Sequence, residues 1–487
     1  MGRVTEPNQV LPVPPADLPA TLGALRAAGH HYRTVKQELR DNLLARLRAG
    51  GDRFPGIVGY DDTVLPEVER ALLAGHDMVL LGERGQGKTR LIRSLVALLD
   101  EWTPVIAGSV LNEHPMHPLT PASRALAAEA GDDLPIAWLH RSMRYGEKLA
   151  TPDTSVGDLI GDVDPIRIAQ GRTLGDPETI HFGLVPRTNR GIFAVNELPD
   201  LAERIQVALL NVLEERDIQV RGYQLRLPLD LLLVASANPE DYTNRGRIIT
   251  PLKDRFGAEI HTHYPLGLEL ELALIRQEAD LVADVPEHVL EVLARFARAV
   301  RDSPSVDQRS GVSARFAIAA AETVAAAALR RSGLLAAGAT TDGVREEAPV
   351  ARVGDAVSVT STLRGKVEFE SGEDGREVEI LAHLLRTATA DTFRARLAGL
   401  DLSGFTALVD DGRVVETGEL VASADLLRQV GTVPGLAKAL DRLGLGDAPT
   451  PEQAAAGVEF VLEGLHLTRR LGKDVTDSGR TVYGGRG

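Results

Sequence analysis

Apolar residues recur along the chain with two different periods. Leu22, Leu25, Val35, Leu39, Leu43, Leu44 and Leu47 fall at near-helical spacing, which predicts one or two helices in an amino-terminal extension over residues 1–50. Gly50-Gly51 breaks that pattern, and Phe54-Pro55-Gly56-Ile57-Val58-Gly59 leads into a helix expected over about 62–74. The period then changes. Met78-Val79-Leu80-Leu81 is a short continuous apolar run, the mark of a strand covered on both faces. Runs of the same kind recur at 104–107, 192–195, 231–235 and 259–263, with helical patterns such as 201–214 between them. This alternation predicts an α/β core over 51–265 with a five-stranded parallel sheet and helices on both faces. From 266 to 332 the pattern is wholly helical and reads as an all-α lid. Residues 333–376 are rich in Gly, Thr, Asp and Glu and read as a linker, and 377–487 is a mostly helical carboxy-terminal region with a frayed, Gly-rich end. The chain contains no internal repeat.

Composition narrows the class. A chain of 487 residues, 44% hydrophobic and 25% charged, has room for two to four globular domains. It has no cysteine, which excludes disulfides, thiolate metal sites and a cysteine nucleophile, and fits a reducing compartment. No stretch approaches the roughly 20 apolar residues needed to span a bilayer, and the amino terminus lacks the apolar core of a signal peptide. A soluble cytoplasmic protein without membrane insertion is expected. The net charge of −15 opposes non-specific binding to nucleic acid, which is driven by cations displacing phosphate counterions. Residues 1–50 and 467–487 are each net +3, so the middle carries −21. Those mildly basic ends read as solvated termini.

The chemistry begins after the first strand. Gly82-Glu83-Arg84-Gly85-Gln86-Gly87-Lys88-Thr89 fits G-x-x-x-x-G-K-[ST], between the strand 78–81 and an amphipathic helix over 90–100. Gly82, Gly85 and Gly87 let backbone N–H groups turn inward around phosphate oxygens, with Gln86 and Arg90 beside them, and the helix amino terminus adds partial positive charge. Lys88 is the candidate for the β- and γ-phosphates of ATP, and Thr89 for Mg²⁺.

About 100 residues later, Ile192-Phe193-Ala194-Val195-Asn196-Glu197 is an apolar strand with a polar end, followed by a helix. Strands in this position usually end in Asp-Glu, the Asp ordering Mg²⁺ through water and the Glu polarising the attacking water. Asn196 stands in place of the Asp; it can accept from a metal-bound water but adds no charge, whereas Glu197 keeps the general-base role open. Ser236-Ala237-Asn238 ends the next strand and places an amide where it could orient water and sense a γ-phosphate. Arg255, on a loop before a further strand, is a candidate arginine finger for a neighbouring subunit, and Arg315 opens a lid helix. His114-Pro115-Met116-His117, with His140 downstream, has no cysteine to complete a zinc set and reads as polar loop residues.

In this order the motifs resemble the AAA+ ATPases of the helix-2-insert clade, and within it the magnesium chelatase ATPase subunit and its MoxR-like relatives. The resemblance covers about 51–332. Residues 145–161 look like the insert region, Phe182-Gly183-Leu184-Val185-Pro186 resembles the hairpin before the Walker B strand, 214–228 looks like a second hairpin, and 235–240 resembles the first sensor. The similarity implies ATP binding by Lys88 and Thr89, catalysis by Glu197, sensing by Asn238 and Arg315, and a trans role for Arg255. It implies a ring-shaped homo-hexamer that hydrolyses ATP to remodel a partner, commonly one bearing a von Willebrand A domain. The metal-binding D-x-S-x-S sequence of that domain is absent here, so the partner would be another polypeptide. Two other readings remain open: a nucleotide-gated assembly scaffold with little hydrolysis, favoured by Asn196, and a helicase-type DNA motor, opposed by the acidic middle. The likeness does not by itself imply insertion of magnesium into a porphyrin.

Overall fold

A computed structural model describes residues 12–163, 180–214, 217–220, 223–238, 247–308, 310–338, 347–410, 413–476 and 480–484. The chain forms two compact units, one running up to Glu83 and from Gly87 to His263, the other joining Arg84–Gln86 to Tyr264–Gly487.

The strands of the first unit are β1 (Met78–Leu81), β2 (Trp102–Ile106), β3 (Ile136–His140), β4 (Tyr145–Leu149), β5 (Gly161–Val163), β6 (Ile180–Phe182), β7 (Gly191–Asn196), β8 (Asp217–Val220), β9 (Tyr223–Arg226), β10 (Leu231–Ala237) and β11 (Ala258–His261). Five of them form a parallel sheet in the order β11-β1-β10-β7-β4. Alternate residues of its strands enter two different cores, as the two-residue period of a strand requires. Met78, Leu80, Ile192, Ala194, Leu232 and Val234 pack with Leu39 and Leu43 of the helix Val35–Ala49, with Val68 of the helix Val64–Ala74 and with Ile92. Val79, Leu81, Phe193, Val195, Leu233 and Ala235 pack on the other face with Ile205 and Leu209 of the helix Glu203–Glu214. The helix Val35–Ala49, read from the sequence as part of an extension, therefore covers the sheet.

The sheet has the expected number of strands, with one member exchanged. The apolar run at 104–107 is not in it: β2 pairs antiparallel with β3, and Ile106 is buried against Leu22 and Leu134. The fifth place belongs to β4, whose Tyr-Gly-Glu-Lys-Leu sequence is polar because it lies at the sheet edge, beside β7 alone. β5 pairs with β6 and β8 with β9, both antiparallel. These are the two expected hairpin regions. Glu215 and Arg216, and Pro239 and Glu240 after the first-sensor segment, lie outside the described residues.

The second unit is built on the helices Leu268–Glu278, Glu287–Arg301, Ala314–Gly338, Glu377–Leu397 and Pro451–Leu467. They share one hydrophobic core, which includes Phe296, Phe316, Leu381, Phe393 and Phe460. Within 333–376, read as a linker, Ala351, Ala356, Val359, Leu363 and Val367 enter that core, so the stretch 351–367 is packed. The expected frayed end is replaced by a small antiparallel sheet of β12 (Val415–Thr417), β13 (Gly472–Val475) and β14 (Thr481–Gly484), in the order β12-β14-β13. Tyr483 anchors it, being buried among core residues and donating to Glu463.

Candidate functional site

Parallel strands end at one edge of a sheet, and here β1, β10 and β7 bring their polar carboxy-terminal residues together there. Pairing of Leu81 with Ala237 sets the phosphate loop beside Asn238, and Gly82 N–H donates to Ala237 O at 3.2 Å. Gly85 and Gly87 both have left-handed φ, 75° and 81°, which residues with a Cβ adopt only with strain. Gly87 then caps the helix Lys88–Ser94. No atom lies within 4 Å of where a Cβ on Gly87 would sit, so its conformation, not space, demands glycine.

Lys88 is buried, and its ammonium donates to Gly82 O, to Glu83 O at 2.8 Å and to Asn238 Oδ1 at 2.8 Å. Asn238, also buried, uses its other end to donate from Nδ2 to Glu197 Oε2 at 2.6 Å. Lys88, Asn238 and Glu197 thus form one hydrogen-bonded chain. Glu197 sits at φ 56° and ψ 48°, a strained conformation for a residue with a Cβ and one found often at functional positions.

Next to that chain, Thr89 Oγ1 donates to Asn196 Oδ1 at 3.4 Å, and Ser236 Oγ donates to the same oxygen at 3.2 Å. Asn196 Nδ2 donates in turn to Glu147 Oε1 at 2.6 Å. Glu147 comes from β4, where Leu149 pairs with Asn196. Its carboxylate is gripped by Arg93, with Nε to Oε2 at 2.8 Å and Nη2 to Oε1 at 2.9 Å, and by the Tyr145 hydroxyl at 2.9 Å. Burial pushes the Glu147 carboxyl up, but the hydrogen bonds from Arg93 and Tyr145, the Arg93 charge and the Asn196 amide outweigh it and hold the group below its ordinary value.

The expected site residues divide into two sets. Gly82, Gly87, Lys88, Thr89, Asn196, Glu197 and Asn238 come together in the first unit. Arg90 lies in the first turn of the helix, where its guanidinium approaches Gly56 closely enough to meet a Cβ there at 2.8 Å. Gln86 is buried. Arg255 is half-exposed and forms an ion pair with Glu214 of its own chain. Arg315 belongs to the second unit, at the start of the helix Ala314–Gly338, where its backbone N–H donates to Ser313 Oγ at 3.1 Å. Sequence reading missed Glu147, Arg93 and Tyr145 as neighbours of Asn196. The signal available was Asn196 itself, since an uncharged residue in that position directs attention to carboxylates on the adjoining strand.

The donor set fits a nucleoside triphosphate with Mg²⁺. A buried ammonium and the amino terminus of a helix lie where they could receive anionic oxygens, and Thr89 Oγ1 with Asn196 Oδ1 offers hard oxygen atoms to a small cation. Among the described residues no group of three or more histidine and carboxylate side chains could hold a metal ion by itself. None of the described helices is long and apolar enough to cross a membrane.

No protein-family model matches the chain. It is similar to magnesium-chelatase subunit ChlI of Nostoc sp., with 30% identity over 235 residues, covering 47% of this chain and 59% of that protein. It is similar also to the magnesium-chelatase 38 kDa subunit of Cereibacter sphaeroides, with 29% identity over 240 residues, covering 47% of this chain and 64% of the relative. The chain thus spans about six tenths of the length of the curated relatives it matches. Among solved structures, a BchI–BchD magnesium chelatase complex aligns at 22% identity and a TM-score of 0.35, covering 67% of this chain and 98% of the matched one. The chain is thus similar to magnesium-chelatase subunits over a little under half of its length, and it carries a phosphate-loop sequence set on a five-stranded parallel sheet.

Proposed function

We propose that this chain binds ATP with Mg²⁺, hydrolyses it and uses the cycle to remodel a partner protein. The observation that carries the reading is the hydrogen-bonded chain from Lys88 through Asn238 to Glu197. Lys88 donates to two backbone carbonyls and one amide, and a γ-phosphate would offer it a charge-assisted acceptor in the same place. When Lys88 turns to phosphate it gives up its hydrogen bond to Asn238 Oδ1, while Asn238 Nδ2 still orients Glu197. Glu197 then accepts a proton from water attacking the terminal phosphate. Thr89 and Asn196 would hold Mg²⁺, which when bound neutralises charge on the phosphates.

Arg255 completes the site of the next subunit in a ring, expected to be hexameric, and Arg315 senses the nucleotide from the lid. The β5–β6 and β8–β9 hairpins are the surfaces that would meet the client. The client is another polypeptide, and proteins with a von Willebrand A domain are the first class to test. The protein would act in the cytoplasm. A second reading rests on Asn196: a scaffold that binds ATP, assembles and hydrolyses little.

Steady-state ATPase activity with Mg²⁺, measured over a range of protein concentrations beside Glu197→Gln and Arg255→Ala, decides between these. Turnover per subunit that rises with concentration, a loss of about 10²–10⁴-fold in Glu197→Gln and a loss of about 10³-fold or more in Arg255→Ala are expected. Wild type that binds ATP yet turns over no faster than Glu197→Gln, even when concentrated, would favour the scaffold. Absence of ATP binding would end both readings.

A further inference from the structure

An amide side chain has two ends of similar shape and opposite polarity, so an Asn that must present its oxygen needs something to choose between them. Asn196 has that problem, because a flipped amide would aim its NH₂ group at Thr89 and Ser236 and away from any use as an oxygen donor. Glu147 removes the ambiguity. Its carboxylate only accepts hydrogen bonds, and Oε1 lies 2.6 Å from Asn196 Nδ2; a flipped Asn196 would set two oxygens against each other at that distance. With Nδ2 fixed on Glu147, Oδ1 turns to Thr89 Oγ1 and Ser236 Oγ.

Glu147 is itself immobilised. Oε1 accepts from Arg93 Nη2 and Asn196 Nδ2, and Oε2 accepts from Arg93 Nε and the Tyr145 hydroxyl, so each oxygen takes two donors. A carboxylate saturated in this way acts through Asn196. The same geometry accounts for the residue type at 196: an Asp there would bring a second carboxylate against the first at about hydrogen-bond distance, a repulsion that raises one pKa of such a pair.

We propose that Glu147 is a positioning residue for the metal side of the nucleotide site, and that Asn196 and Glu147 are a matched pair in which the negative charge has moved from the strand end to the neighbouring strand. Asn196 is then an adapted part of the site, oriented as an oxygen donor. This rests on the reading of the site as one for ATP with Mg²⁺.

The test is a double-mutant cycle on the full chain with Asn196→Asp, Glu147→Gln and both together, read by affinity for a fluorescent ATP analogue in Mg²⁺ and in EDTA. Glu147→Gln should lower affinity in Mg²⁺ by about 10- to 100-fold, the range for residues that orient metal ligands, and change affinity in EDTA by less than about twofold. Asn196→Asp alone should also weaken binding in Mg²⁺. The double variant should regain most of the loss, because a Gln at 147 can donate to an Asp at 196. Independent, multiplicative effects of the two substitutions, or equal losses in Mg²⁺ and EDTA, would overturn the proposal. If Asn196→Asp does not fold, the ratio of Mg²⁺ to EDTA affinity in Glu147→Gln decides alone. Wild type that binds nucleotide in neither condition defeats the ATP reading and this inference together; wild type that binds while the pair shows no coupling defeats only the inference.

Discussion

At the scale of single residues, the site is a set of polar side chains whose hydrogen-bonding capacity is used almost completely within the first unit. Asn238 shows what each member does, since its oxygen serves Lys88 and its nitrogen serves Glu197. Asn238→Ala removes both contacts, including the hydrogen bond that orients the Glu197 carboxylate. We expect turnover to fall by about 10²-fold or more, the usual cost of removing one oriented polar group from a reaction centre, with nucleotide affinity changed far less. Equal losses in affinity and turnover, measured by nucleotide titration beside steady-state kinetics, would reduce Asn238 to a binding residue. The phosphate loop was legible in the sequence because its glycines and Lys88 follow a fixed pattern after a strand. Asn238 became legible only through the order of the motifs around it, because an Asn after a strand is most often a turn residue. The contacts of Glu147 were hinted at only by the missing charge at Asn196, since they depend on which strand lies next to β7.

At the scale of elements, the sequence revealed strands covered on both faces and concealed strands that are not. β1, β7 and β10 are continuous apolar runs because helices pack on both sides of them. β4 borders only β7 and tolerates Glu147 and Lys148, so its composition gives no strand signal. The apolar 104–107 run misled in the opposite sense, because its side chains are buried in a separate hairpin. What fixes the helix Val35–Ala49 on the sheet is also cryptic: Glu38 and Arg144 form a bidentate pair at 2.7 Å for both contacts, with both side chains essentially inaccessible. Truncating either partner strands a buried charge, so Glu38→Ala or Arg144→Ala should cost about 3–5 kcal/mol in chemical denaturation. A cost under about 1 kcal/mol, the value of a surface pair, would mean that water reaches the survivor. In the second unit, a Cβ on Gly464 of the helix Pro451–Leu467 would come within 2.0 Å of the buried Phe393 ring. Alanine gains about 1 kcal/mol over glycine as a helix former, while forced overpacking costs about 1–3 kcal/mol. Because the ring is confined, we expect Gly464→Ala to lower the melting temperature; a rise would show that Phe393 can move aside.

At the scale of the whole molecule, each unit buries a histidine that the fold keeps neutral, and this sets how the protein responds to acid. His114 in the first unit accepts from Met116 N–H through Nδ1 at 3.1 Å and stacks on His30; burial, then the charge of Arg190, then His30 and His117 push it down to about 2. His288 in the second unit packs against Phe460, and burial pushes it down to about 3 against the opposing pull of backbone groups at Leu443 and Ala456. In the unfolded chain both titrate near 6.5. Above that value neither state binds the proton and neither ring affects stability. Below it the unfolded chain takes up a proton that the native fold refuses, so stability is lost as the pH falls, by about 1.4 kcal/mol per pH unit for each histidine. Paired carboxylates such as Glu147 add their own loss only lower, below their unfolded value of 4.5. Urea unfolding at pH 7, 6 and 5 should therefore show midpoints falling from about pH 6.5, before any carboxylate titrates. His114→Asn, whose oxygen can replace Nδ1 as acceptor for Met116, should remove His114's share of that slope, leaving the share of His30, which burial and then the Arg190 charge also push down. A wild-type midpoint that stays flat from pH 7 to pH 5 would mean that both rings accept protons inside the fold, and that the burial of these histidines is relieved by motions which admit water.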